Sequence, residues 1–406
     1  MQILLVSESV PLPGQAGSPR TFQLSQAIAS RHTISLLLLH QEERFLNNSS
    51  DYLSPDSPFS SVTAVTVRPS AACLGLKLLN AFLLKPSFAT DIKRRREHRT
   101  AVSAVRDLSS TVDVVWVDGL SMLQYAEACD TPVVLDVIDF ISRLEFALAR
   151  APKSASRRLI SSFRARVTRR YEARHLSDVA SVALNSNVDA QLMLTELNVP
   201  ASVVSNGCDT DFFAPRDMST RLAGVPALLF VGNYAYQPNH DAALHIINDM
   251  VPRLTKIFPE ATVYLVGPVP DDGFGAVPSC VQVVGFADDV RDYYAAADVF
   301  ICPLRFGAGL KNKVLEAAAM ECAIVASSVS VEGLALEDGV HFFLAETPDD
   351  FVERIREALA EDGGVGQALG VSARRLVEER YSWTSAGERL EALLVAAAHA
   401  QRRRKK

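Results

Sequence analysis

The sequence predicts an α/β protein of two doubly wound, Rossmann-like units, and three observations lead there. Short aliphatic and β-branched runs alternate with polar, helix-favouring segments. A turn-rich break interrupts the alternation near residues 205–225. The length of 406 residues exceeds one ordinary core and suits two.

The first strands read QILLV at 2–6, TISLLLL at 33–39, VDVVWVD at 112–118 and PVVLDV at 132–137. They are apolar on both faces, as buried parallel strands are. Asn206-Gly207, a turn dipeptide, and the stretch from Ala214 to Pro226 then break the pattern. It restarts with ALLFVG at 227–232, TVYLVG at 262–267, VQVVG at 281–285, DVFICPL at 298–304, AIVAS at 323–327 and HFFLA at 341–345. Thr347-Pro348-Asp349-Asp350 offers an N-cap, a proline at the first helical position and acids in the first turn, opening a helix through FVERIREAL.

Composition narrows the function. At 48% hydrophobic and 22% charged with a net charge of −6, the chain is not a nucleic-acid binder as a whole. Its apolar runs fall short of the ~20 residues that span a bilayer, and the opening MQILLVSESVPLPG lacks a basic leader, which predicts a cytoplasmic protein. The six cysteines form no C-x-x-C pair and the histidines no metal-ligand spacing, so neither a metal nor another cofactor is expected. Asp209-Thr210-Asp211 spells D-x-D but follows Asn206-Gly207, where aspartate is a routine turn residue.

RFGAGLKNKVLEAAAM, at 305–320, follows a strand directly and should begin a helix. Helix starts favour acids, so Lys311 and Lys313 are unfavourable there unless an anion sits nearby. Gly307 and Gly309 would let the backbone approach that anion, and a diphosphate fits the chemistry. Glu316 could accept hydrogen bonds from two adjacent ribose hydroxyls. The plain alternative is a Lys313–Glu316 surface ion pair contributing ~0.2–0.5 kcal/mol.

VLEAAAMECAIVAS, FVG at 230–232, VYLVG at 263–267, VVGFADDVRDYYAAADVFICPL at 283–304 and VVSNGCDTDFFAP at 203–215 together resemble family-four retaining glycosyltransferases of the GT-B fold. YSWTSAGERLEALL at 381–394 resembles their closing helix, and GAGLKNKVLEAAAM with NYAYQPNHDAAL is similar to bacterial sugar transferases of exopolysaccharide and exosortase loci. The resemblance implies two Rossmann-like domains facing across a cleft. Residues 1–205, closed by 381–400, would bind the acceptor and residues 222–380 a nucleotide-sugar donor of UDP or GDP type.

The donor site so implied comprises Gly232, Asn233, Gly285, Phe286, Gly307, Ala308, Gly309, Leu310, Lys311, Asn312, Lys313 and Glu316, with Lys313 and Glu316 also catalytic. Gly14, Gly17 and Arg20 would face the phosphates from the N-terminal domain, although turn chemistry also explains the two glycines. The family's first glutamate falls on Ala308, so the side-chain anchor for the donor sugar is absent. Trp116, Asp118, Asp136 and Asp139 would line the acceptor site. Asp139 is the favoured catalytic acid or base, with a cap or loop acid as its alternative and core packing as that of Trp116.

The implied reaction moves a sugar, with retention, to a glycan or lipid-linked acceptor in surface polysaccharide synthesis. A non-catalytic donor-binding subunit and a sugar-nucleotide 2-epimerase are the alternatives. Basic clusters at 92–99, 156–175 and 401–406, and the aliphatic stretch 74–85, suit either solvated faces or peripheral docking on an anionic inner-membrane surface.

Overall fold

A computed structural model describes residues 1–8, 19–40, 57–67, 96–150, 155–216, 222–271, 273–360 and 364–404. The chain divides into two units, residues 1–207 with 383–406, and residues 208–382. The segment from Cys208 to Arg216, read from sequence as part of a linker, belongs to the second unit: Arg374 donates to the carbonyls of Thr210, Phe213 and Ala319 and ties it down.

The first unit holds β1 (Gln2–Ser7), β2 (Thr33–His40), β3 (Ser61–Thr66), β4 (Val114–Asp118), β5 (Val133–Ile138), β6 (Ser181–Leu184) and β7 (Ser202–Val203). They form one parallel sheet in the order β3-β2-β1-β4-β5-β6-β7. Alternate residues of each strand point to opposite faces. Ile3, Leu5, Ile34, Leu36, Val114 and Trp116 pack in one core, whereas Leu4, Val6, Leu37, Val115 and Val117 pack in another.

The first of these cores is closed by helix Pro19–Ala29 and by the C-terminal helix Trp383–Arg404, through Leu24, Ile28, Leu390, Leu394 and Ala398. A Cβ at Gly387 would come within 2.5 Å of the Ala27 Cβ, so the two helices meet where one residue has no side chain.

The second unit holds β8 (Ala227–Val231), β9 (Thr262–Val266), β10 (Val281–Gly285), β11 (Val299–Cys302), β12 (Ile324–Ala326) and β13 (Phe343–Leu344). These are also parallel, in the order β10-β9-β8-β11-β12-β13. In both sheets the order reverses beside the unit's first strand, and in open α/β sheets ligands gather at the carboxyl ends of the strands at that point. Thr347 caps helix Pro348–Ala358 as the sequence predicts, and Asp350 completes a reciprocal capping box with it.

Candidate functional site

The reversal in the second unit falls between β8 and β11. Gly232 and Asn233 follow β8, and the loop through Gly307 and Gly309 follows β11 and enters helix Asn312–Ala319. The sequence-predicted group from Gly307 to Glu316 therefore gathers with Gly232 and Asn233 at one switch point. Gly307 and Gly309 adopt φ of 144° and 73°, backbone that a side chain would strain.

Gly285 and Phe286 lie farther along the same carboxyl edge, at the end of β10. The Phe286 ring is 75% exposed. Gly267, at the end of β9, escaped the sequence reading of the site although it stands in the quoted VYLVG. It donates to the Gly285 carbonyl, and a Cβ on it would lie 2.1 Å from the Gly232 carbonyl oxygen.

The two lysines do not stand free at the helix start, which corrects the picture drawn from sequence. Lys311 occupies the N-cap position, is buried, and donates from Nζ to the Gly309 carbonyl at 2.6 Å. Lys313 donates from Nζ to Asn239 Oδ1 at 2.6 Å and lies 4.6 Å above the centre of the Phe230 ring. A Cβ at Gly232 would sit 2.8 Å from that ammonium, so the close approach needs glycine there.

Among the described residues no carboxylate comes within ion-pair distance of Lys313. Burial among these groups, which disfavours the charged form, pulls its pKa down to about 8. Glu316 accepts a hydrogen bond from the Tyr294 hydroxyl at 3.0 Å, and its carboxyl is pushed upward, chiefly by burial. Asn239, Phe230 and Tyr294 were not legible as site residues. Asn239 does lie in the quoted NYAYQPNHDAAL, but spacing cannot reveal a partner 74 positions away.

In the first unit the reversal lies between β1 and β4. Arg20, expected to face a donor's phosphates, is instead buried at 5% exposure. It donates to both Asp136 oxygens, at 3.0 and 3.2 Å, to Asn206 Oδ1 and to the Val204 carbonyl. Its charge is consumed within the unit, and Asp136, at 1% exposure, is correspondingly committed to Arg20 rather than open to an acceptor.

Asp118 is also buried and accepts from Ser7 Oγ at 2.7 Å and Thr21 Oγ1 at 3.0 Å. Burial, with the charge of Asp136 nearby, pushes its carboxyl up to about 6. Trp116 is a wholly buried member of the core and lines no open pocket, so its alternative reading holds. Asp139 is half-buried just beyond β5 and follows Ile138, whose φ of 71° is a strained conformation for a β-branched residue. Gly14 and Gly17 lie outside the described residues.

Asp209 behaves as a turn residue, its Oδ1 accepting from the Phe212 amide at 2.9 Å. Among the described residues no three histidine, cysteine, aspartate or glutamate side chains converge as a metal ion would need. The described cysteines, 129, 208, 280, 302 and 322, are free thiols. A cavity of about 560 Å³ in the first unit, lined by Val133, Ala180, Tyr171 and His175, opens at the amino ends of β5 and β6, the wrong end for a doubly wound sheet's ligand.

Comparison with known proteins agrees with this geometry. Residues 225–361 match the family described as Glycosyl transferases group 1. The matched residues all lie in the second unit. The match takes in Gly232, Lys313 and Glu316 alike.

The phosphatidyl-myo-inositol mannosyltransferase of Mycobacterium tuberculosis is 26% identical over 224 residues, which span 52% of this chain and 57% of that protein. The match thus covers little more than half the length of that curated relative. The sucrose-phosphate synthase of Thermosynechococcus elongatus superposes with a TM-score of 0.69 at 14% identity, covering 98% of this chain and 99% of the other. Anabaena HepE, solved in complex with UDP, superposes with a TM-score of 0.65 at 15% identity, covering 98% and 100%. At such identities the likeness establishes the fold, which is GT-B. No helix among the described residues is long and apolar enough to cross a membrane.

Proposed function

We propose that the chain is a glycosyltransferase that moves a sugar from a nucleotide diphosphate sugar to a hydroxyl of a glycan or lipid-linked acceptor, with retention, in surface polysaccharide synthesis. Lys313 is the observation that carries this reading. An ammonium set into protein with only neutral hydrogen-bond partners costs desolvation energy that the attraction of Glu316 offsets only in part, so its pKa stays lowered. Its place among Gly232, Gly307 and Gly309 is a place for an anion.

A donor diphosphate supplies that anion. In the reaction the bond from the anomeric carbon to the β-phosphate oxygen breaks, and a bond to the acceptor oxygen forms on the same face of the sugar. Lys313 and the amides at the start of helix Asn312–Ala319 meet the charge of the departing diphosphate, with no metal ion required. Glu316 receives the ribose hydroxyls, and Phe286, beyond Gly285, lies beside the base. Uracil is the favoured base, because HepE is solved with UDP and with UDP-glucose. Asp139 is the base proposed for the acceptor's proton.

A lipid-linked acceptor suits a protein docked peripherally on the cytoplasmic face of the cell membrane. Helix Ala155–His175 supports this, exposing Leu159, Ile160 and Phe163 among the exposed Arg158, Arg164 and Arg166. Such a face would find complementary charge on anionic lipid.

A second reading, a donor-binding subunit without catalysis, is favoured by Ala308, which stands where the family resemblance expects a sugar-binding glutamate. Radiolabelled UDP- and GDP-sugars incubated with the protein and a membrane lipid extract separate the readings. Sugar transferred to acceptor supports the transferase, donor bound but unconsumed supports the subunit, and interconversion of free donors supports the epimerase. Failure to bind any donor overturns all three.

A further inference from the structure

Lys313 carries a long, flexible side chain, yet its ammonium is held at one point. The Phe230 ring, on β8, lies beneath it without fixing its direction. Direction comes from Asn239, a buried residue in the first turn of helix Gln237–His245. The orientation of this amide is set twice over. Its Nδ2 donates to the Asn233 carbonyl at 2.9 Å, so its Oδ1 must face the lysine; turned over, it would press an NH₂ group against an NH₃⁺. Since Asn233 follows β8, the lysine in the first turn of the helix after the β11 loop is tied through a neutral amide to the β8 loop.

We propose that Asn239 is a positioning residue for the site's cation, a neutral tether that fixes the Lys313 ammonium between the β8 and β11 loops while leaving its positive charge available to the phosphate oxygens of a bound donor. The proposal deepens the donor reading above and rests on it. An aspartate at this position would bind the ammonium as well or better, but it would neutralise the charge and repel an arriving diphosphate. An alanine would leave the ammonium on its four-carbon stem with several rotamers to choose from. Only an uncharged acceptor does both jobs.

The other ionisable groups acting on this lysine do not outweigh its burial, and its pKa stays below the ordinary lysine value. The Cys302 thiol, on β11, is pushed upward by burial and stays protonated. Glu316 attracts the ammonium from outside ion-pair distance and accepts from Tyr294, while Lys311, one residue before the helix, adds like charge.

Two variants, Asn239→Asp and Asn239→Ala, and two measurements test the proposal. In the ligand-free protein, competitive labelling of Lys313 with acetic anhydride across pH, read by peptide mass spectrometry, gives the midpoint at which its amine becomes reactive. The parent midpoint is expected near 8. The aspartate variant should raise it by about one pH unit or more, and the alanine variant should not raise it. Titration with UDP should show affinity reduced about tenfold or more in the aspartate variant and less in the alanine variant.

A folded aspartate variant that keeps the parent's labelling midpoint, or that binds UDP as the parent does, overturns the tether. Should the aspartate variant fail to fold, because it cannot donate to the Asn233 carbonyl, UDP affinity in the alanine variant decides, and parent-like binding overturns the proposal. A parent that binds neither UDP nor GDP overturns the donor reading and the reserved charge with it. Even then the labelling midpoint would still report separately whether Asn239 holds the lysine.

Discussion

Asp118→Asn should change how the first unit's stability depends on pH. The carboxyl is buried beside Asp136, and both Ser7 and Thr21 donate to the same oxygen, Oδ2. Burial moves it from the 3.8 of a free aspartate to about 6. Between those values the folded chain keeps a proton that the unfolded chain has released, so stability falls as pH climbs from about 4 to about 6. At ~1.36 kcal/mol per pH unit, the difference corresponds to about 3 kcal/mol, fully lost above pH ~6. An asparagine can still accept from both hydroxyls and has no proton to lose. Urea unfolding followed by tryptophan fluorescence isolates the effect, because the chain's two tryptophans, Trp116 and Trp383, both belong to the first unit. The stability difference between variant and parent should grow in the variant's favour from pH 4 to pH 7, by as much as about 3 kcal/mol. Parallel curves across that range would show that Asp118 is not the buried acid described.

Three further outcomes concern the second unit. Glu316→Gln should fold, since an amide oxygen can still accept from Tyr294, while UDP affinity falls about tenfold or more on losing charge-assisted bonds to the ribose; unchanged calorimetric affinity would remove Glu316 from the site. Gly232→Ala would press a methyl to 2.8 Å from the lysine ammonium and 2.9 Å from the Asn239 amide, so it should weaken UDP binding at an overpacking cost of ~1–3 kcal/mol in stability; full affinity in the alanine variant would mean that the ammonium does not meet the ligand. Because Lys313 titrates near 8 when the site is empty, a bound diphosphate should hold its proton, so UDP binding at pH ~8 should take up protons and affinity should weaken above that pH. Calorimetry in buffers of different ionisation enthalpy measures the uptake, and none at pH 8 would count against the lysine.

The strands were legible because burial on both faces leaves a compositional mark: QILLV and VDVVWVD become β1 and β4 with little shift of boundary. The cap at Thr347 was legible because every part of it lies within four residues. The glycines and Glu316 of the RFGAGLKNKVLEAAAM stretch were found because loop and helix are contiguous there. What the sequence hid were the partners. Asn239 precedes its lysine by 74 positions, and Arg20 lies 116 positions before Asp136. Arg20 reads as a phosphate ligand and Asn239 carries no role of its own until the sheet order brings each to its partner. Lys311 misled for the opposite reason: a helix-dipole argument treats it as a free charge, whereas a bond only two residues long turns it onto the Gly309 carbonyl.

A count of charge separates the two switch points. At the first, Arg20 and Asp136 cancel, and Asp118 remains as a surplus negative group that the fold tolerates by drawing its pKa upward toward neutrality. A diphosphate brought there would meet a carboxylate and an arginine already fully engaged. At the second, two lysines stand against Glu316, and the more exposed of them, Lys313, has its pKa drawn downward by burial that the attraction of Glu316 does not outweigh. Opposite shifts at equivalent places in two similar sheets identify what each lacks: the first gains from a proton, the second from an anion. That asymmetry supports placing the donor diphosphate in the second unit, and it explains why Arg20, apparent in the sequence as a phosphate ligand, cannot serve as one without abandoning Asp136.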